Sequence, residues 1–151
     1  MTIKLTSLKA DVAAETEGQW QDVPDLPGVR FRVRSFNYGP YQAAKSMVEA
    51  RWARKYGREP VPMNESLIEN GKLYAKHILL EWDGLDQPYS PDLALQLFTD
   101  PAYRQMQEHL RYAASRVGLG EIEFADESAK NSGGLSGTTS AVEAQTPGSP
   151  S

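Results

Sequence analysis

Apolar and polar residues alternate with two different periods along this chain, and each change of period marks a new element. From Val29 to Arg34 the alternation is strict: Val29, Phe31 and Val33 point one way, Arg30, Arg32 and Arg34 the other. A period of two is the mark of a half-buried strand. Trp20 and Val23 precede it across the turn cluster Pro24-Asp25-Leu26-Pro27-Gly28, which predicts a β-hairpin with a five-residue connection. A two-stranded hairpin is marginal in water, so its apolar face has to rest on helices.

The helical period takes over after Asn37-Tyr38-Gly39-Pro40. Ala44, Val48 and Trp52 step by four with Met47 beside them, which predicts a helix over Pro40–Tyr56 that stops at Gly57. Arg58 to Pro62 reads as an extended connector, because each proline disfavours helix in the residue before it. With Asn64 as cap, Leu67, Gly71, Tyr74, Ala75, Ile78, Leu79 and Trp82 form the most strongly patterned stripe of the chain. They predict one helix reaching Asp83, closed by a left-handed Gly84. Ser90-Pro91 opens a short helix carrying Leu93, Ala94, Leu97 and Phe98. Asp100-Pro101 opens another, with Tyr103, Met106, Leu110, Ala113 and Val117 as its seam and Gly118 at its end. Residues 1–17 show neither period and predict a loose arm or a short strand. A brief helix is expected over Ile122 to Lys130. From Ser132 onward, Gly, Ser, Thr, Ala and Pro cannot repay their ordering entropy, so 132–151 is expected to be a disordered tail. The fold class is α+β: one mainly helical domain over 18–131 with an N-terminal hairpin, preceded by a flexible arm over 1–17.

Composition narrows the chemistry. The 151 residues include no cysteine, which removes disulfides, thiolate metal sites and cysteine nucleophiles. A net charge of −4 argues against nucleic-acid binding, which relies on excess Lys and Arg. No apolar run approaches the roughly 18 residues of a membrane span, and the first residues lack the apolar core of a secretory signal. A soluble protein that stays inside the cell is therefore expected, with no membrane partner. The two histidines, His77 and His109, fall on different helices and are too few for a zinc site. Asp83-Gly84-Leu85-Asp86 has the opening of a calcium loop without its later ligands. Gly118-Leu119-Gly120 lacks the third glycine and the preceding strand of a dinucleotide loop. Abundant carboxylates read as a solvated exterior. No catalytic set, metal site or cofactor is implied, and the expectation is a binding protein rather than an enzyme.

Two features suit binding. Arg30, Arg32 and Arg34 form an outward row, either a solvated strand face or a dock for an acidic protein surface. Trp20, Trp52 and Trp82 each lie on an apolar stripe or strand, which suits core packing or aromatic anchoring at an interface.

The order of these signals resembles the tail assembly chaperones of long-tailed bacteriophages, prophages and gene-transfer elements. The resemblance is carried by Gly18-Gln19-Trp20, Pro27 to Ser35, Leu79-Leu80-Glu81-Trp82-Asp83-Gly84-Leu85 and Pro88-Tyr89-Ser90-Pro91-Asp92-Leu93-Ala94. It continues through Leu97-Phe98-Thr99-Asp100-Pro101-Ala102-Tyr103-Arg104 to Glu127-Ser128-Ala129-Lys130-Asn131. It covers about 18–131 and implies a non-enzymatic role. Such a protein binds the long helical tape-measure protein, keeps it soluble, and promotes polymerisation of the major tail tube protein around it. It works in the cytoplasm of the infected or prophage-carrying bacterium and leaves before the virion is complete. Trp82, Leu85, Tyr89, Leu97, Phe98, Tyr103 and Met106 are the expected contacts in a helix-in-groove mode, with Arg30, Arg32 and Arg34 as a second patch. A homo-oligomer is compatible with this. The alternatives are another small morphogenesis protein retained in the particle, such as a head–tail connector or tail completion protein, and a nucleic-acid-binding regulator.

Overall fold

A computed structural model describes residues 1–125 and shows an α+β fold. The chain divides into two compact units, one over Asp11–Gly118 and the other joining Met1–Ala10 to the segment that begins at Leu119.

In the larger unit the expected hairpin forms. β1 (Gln19–Asp22) pairs antiparallel with β2 (Arg30–Val33), and the turn over 24–28 is closed by a hydrogen bond from Val23 N to Val29 O (3.2 Å). Its other flank differs from expectation. The long stripe after Asn64 is not one helix. α3 (Met63–Leu73) runs into a wider π turn (Tyr74–Ile78), and the chain leaves it directly as β3 (Leu79–Asp83), antiparallel to β2. The sheet is thus three-stranded, with β2 in the centre. Tertiary pairing decides this. Without β3, the second edge of β2 would leave backbone donors and acceptors unpaired beside the core.

Register sets the faces. Trp20 lies opposite Arg32, so it belongs to the outer, arginine face and not to the core face of Phe31 and Val33. On the other side Trp82 lies opposite Phe31 and points inward, while Glu81 and Asp83 join the arginines outside. A bulge lets Leu79 rather than Leu80 oppose Val33. Gly84 ends a strand rather than a helix. Its φ of +91° and the Gly28 carbonyl packed against it admit glycine alone.

α1 (Val12–Glu17) stands where a loose arm or strand was expected, and it belongs to the larger unit. It is too short to show a stripe. Asp11 caps it, accepting from Ala14 N at 3.2 Å. α2 (Gly39–Tyr56) follows the sequence pattern in Val48 and Trp52, but Tyr41 joins the core while Met47 is 71% exposed. α3 starts on Pro62 without a side-chain cap, so Asn64 is a first-turn residue and not the cap.

α4 (Pro91–Phe98) is capped as expected: Ser90 Oγ accepts from Leu93 N at 3.1 Å. Removing that cap (Ser90→Ala) is expected to lower the unfolding free energy by about 1 kcal/mol, readable as a shifted urea midpoint at constant slope. Asp100 caps a tight turn (Pro101–Tyr103) by accepting from Ala102 N at 2.9 Å, and α5 (Arg104–Arg116) follows. Between α3, α4 and α5 one polar side chain is buried. The Gln107 amide donates to Leu67 O (2.8 Å) and Phe98 O (2.9 Å), supplying a partner for the last carbonyl of α4. Phe31, Val33, Ile78, Leu79, Phe98 and Leu110 form the centre of the core.

In the smaller unit, Ile3 and Phe124 form an antiparallel bridge, flanked by bonds from Lys4 N to Glu123 O (2.7 Å) and from Ala125 N to Thr2 O (3.0 Å). Of the helix expected from Ile122, residues 122–124 are therefore not helical and Ala125 is. The remainder, and the expected tail over 132–151, lie outside the described residues. Among the described residues no helix is long and apolar enough to cross a membrane.

Candidate partner-binding groove

The capped start of α4 and the Asp100-capped turn that leads into α5 place their stripes side by side. Leu93 and Leu97, four apart, run along one flank of α4. Tyr103 and Met106, three apart, lie where the tight turn enters α5. Phe98, with 1% exposure, anchors the corner between them from inside the core. The opposite wall comes from the end of β3 and its turn: Trp82, Leu85, Asp86 and Gln87. Together these eight residues line a groove of about 160 Å³.

Trp82 is the floor. It is only 5% exposed, its indole N–H donates to Gln87 O at 2.8 Å, and Tyr89 meets it edge-on at 5.2 Å between ring centres. The hydrogen bond holds the loop after β3 against the strand, so the wall is preformed. Burial and the nearby Glu81 carboxylate push the Tyr89 phenol above its ordinary pKa. That ring is a neutral, fixed support for the indole.

Of the seven apolar residues expected as contacts, Trp82, Leu85, Leu97, Tyr103 and Met106 meet in this groove. Tyr89 stands behind Trp82 and lines the adjoining hollow. Phe98 lies beneath, in the core, and is not part of the lining. Leu93, Asp86 and Gln87 complete the lining without having been expected as contacts. Leu93 was detectable, since it precedes Leu97 by one helical turn; Asp86 and Gln87 sit on a loop, where periodicity says nothing.

The arginine row is occupied within the fold. Arg30 pairs with Asp83 at 2.9 Å and covers the Trp20 ring at 4.7 Å. Arg32 donates to Glu17 O (3.0 Å). Arg34 donates to Thr16 O (2.8 Å) and His77 O (3.1 Å) and stacks over Tyr38 at 4.3 Å. Two of the three arginines thus hold the carbonyl end of α1 against the sheet, a favourable place for cations. These guanidiniums act first as fasteners.

The histidines stay apart. His77 lies beside Lys76 and Arg34, and burial with those two charges holds its pKa below the usual value. His109 lines a separate hollow with Asp25, Glu108 and Tyr112. Among the described residues no three His, Cys, Asp or Glu side chains gather as metal ligands would. Comparison with protein-family models, curated proteins and solved structures yields no match to this chain.

Proposed function

We propose that this protein is a tail assembly chaperone that grips apolar side chains of a long helical tape-measure protein, keeps it soluble and promotes growth of the tail tube around it. One observation carries the reading: five residues singled out by pattern and resemblance, spread from Trp82 to Met106 over a strand, a loop and two helical segments, line one apolar groove with a preformed floor.

The size of the groove fits the task. A cavity of about 150 Å³ takes a benzene ring, so this one takes a single Leu- or Phe-sized side chain. Burying one such side chain contributes about 1.5–3 kcal/mol. One groove alone is therefore a weak grip, far short of the roughly 8 kcal/mol of a micromolar complex. Many copies along one long partner can each dock and release singly, and firm retention of such a coat would come from contacts between neighbouring copies, since avidity needs linked modules. That balance suits a coat that must later be displaced.

The test is co-expression with a candidate tape-measure protein. Its soluble fraction is expected to rise severalfold when this protein is present, and mass spectrometry of finished particles should find few peptides from it. Equal insolubility with and without this chain would overturn the proposal. Abundant peptides in the particle would favour a retained morphogenesis component instead.

A further inference from the structure

The groove does not end in neutral surroundings. The wall formed by Trp82, Leu85, Asp86 and Gln87 is shared with a second hollow of about 350 Å³, which adds Glu81 and Asp83. No Lys, Arg or His lines either hollow. Asp83 is already matched by Arg30 at 2.9 Å, whereas no ion pair engages Glu81 or Asp86 among the described residues. An apolar slot for one side chain thus opens beside two carboxylates outside any such pair: Asp86 on the shared wall, and Glu81 in the adjoining hollow on the strand face that carries Arg32. A cation on the docked segment would meet both, and a carboxylate there would be repelled.

We infer that the segment this groove selects is a basic amphipathic helix: one large apolar side chain enters the groove, and Lys or Arg one turn away lies over Glu81 and Asp86. The inference rests on the reading of the groove as a grip for a partner helix and adds the partner's charge. Helical spacing supplies the geometry, since residues three or four apart share a face at about 5–6 Å. The apolar slot fixes position, and the carboxylates choose among stripes that are equally greasy.

The probe is a synthetic, fluorescently labelled helical peptide of about 20 residues, with one leucine and flanking lysines one turn to either side on an Ala/Gln background. Two companions accompany it, one with glutamates for the lysines and one with alanine for the leucine. Anisotropy titration against the full chain is expected to show the lysine–leucine peptide binding about tenfold tighter than the glutamate version, with the advantage shrinking severalfold between about 50 and about 300 mM salt. The alanine version should bind at least severalfold more weakly than its leucine parent. Glu81→Lys combined with Asp86→Lys, both at exposed positions, should reverse the charge preference while leaving the circular dichroism spectrum unchanged.

Equal or tighter binding of the glutamate peptide overturns the inference. If that binding is lost on Met106→Asp, the groove still stands as a grip and only the charge rule fails. Equal binding of the alanine and leucine peptides also overturns it, because attraction would then be ionic without docking. So does self-association that competes with the peptide and is lost on Met47→Glu, since the groove would then hold α2 of a second copy. Absence of binding by any peptide, with the protein titrated to about 1 mM so that a one-side-chain grip registers, overturns it as well, while the solubility test on the proposed long partner separately decides the reading beneath it.

Discussion

Gly71→Ala is expected to destabilise the fold by about 3 kcal/mol, lowering the melting temperature by about 10–20 °C. On propensity alone the change should help, because glycine inside a helix costs about 0.5–1 kcal/mol relative to alanine. Packing outweighs that gain. A Cβ at position 71 would overlap the Phe98 carbonyl oxygen, sit 2.6 Å from its carbon and lie 3.1 Å from the Gln107 amide nitrogen. The obstacle is backbone, so no rotamer change relieves it, and α3 must move away from the end of α4. That movement also pulls Leu67 O and Phe98 O away from Gln107, whose amide is bonded to both and is 4% exposed. Gly39→Ala is the control. Nothing lies within 4 Å of a Cβ there, and its effect should stay within about 0.5 kcal/mol. Thermal unfolding followed by circular dichroism reads both. A Gly71→Ala melting temperature equal to wild type would contradict the close packing of α3 on α4.

The second large effect concerns the groove. Tyr103→Asp together with Met106→Asp places two carboxylates on its apolar wall. Tyr103 is 48% exposed, whereas Met106 is partly buried against the core, so the fold should survive at a cost of about 1–3 kcal/mol. Hot-spot losses at interfaces run to about 2–4 kcal/mol, so affinity for the proposed long helical partner should fall at least about 30-fold, and co-expression should not raise that partner's soluble fraction. Leu95→Asp is the matched control. Leu95 is also on α4 and 45% exposed, but it lines a different hollow with Lys72 and Lys76. Solubilisation should be unchanged by that variant. If the double variant solubilises the partner as well as wild type does, the grip lies elsewhere on the molecule.

Where local chemistry and tertiary demand agree, the elements were legible. The Val29–Arg34 alternation, the Pro24–Gly28 turn and the cap at Ser90 each have a short-range cause, and each appears as expected; Asp100 caps as well, but it caps the tight turn Pro101–Tyr103 and not α5 itself. β3 was not legible, for two reasons. Leu79 and Trp82 continue the helical stripe of Leu67, Gly71 and Ile78, and the bulge at Leu79 and Leu80 erases the alternation that would betray a strand. Nothing between Leu79 and Asp83 is β-branched, and the strand preference of Trp82 is offset by Glu81 and Asp83, so propensity gave little warning. What makes this segment a strand is the unpaired edge of β2, some 45 residues earlier, which no local window contains. The face of Trp20 was left open for a related reason: it is set by hairpin register, and the sequence around it does not alternate. The groove was half legible. Its helical side follows from stripes on α4 and α5, whereas Asp86 and Gln87 depend on a loop pinned by the Trp82 indole.

The junction between α3 and β3 has one more consequence, for how this chain can change in length. No slack separates the π turn from the strand, so the number of residues there sets the phase of everything after it. A deletion of one residue would turn Trp82 to the outer side and bring a carboxylate neighbour inward, removing the groove floor and the core contact with Phe31 in one step. Insertions and deletions are therefore tolerable in the proline-rich bend before Met63 and ruinous a dozen residues later.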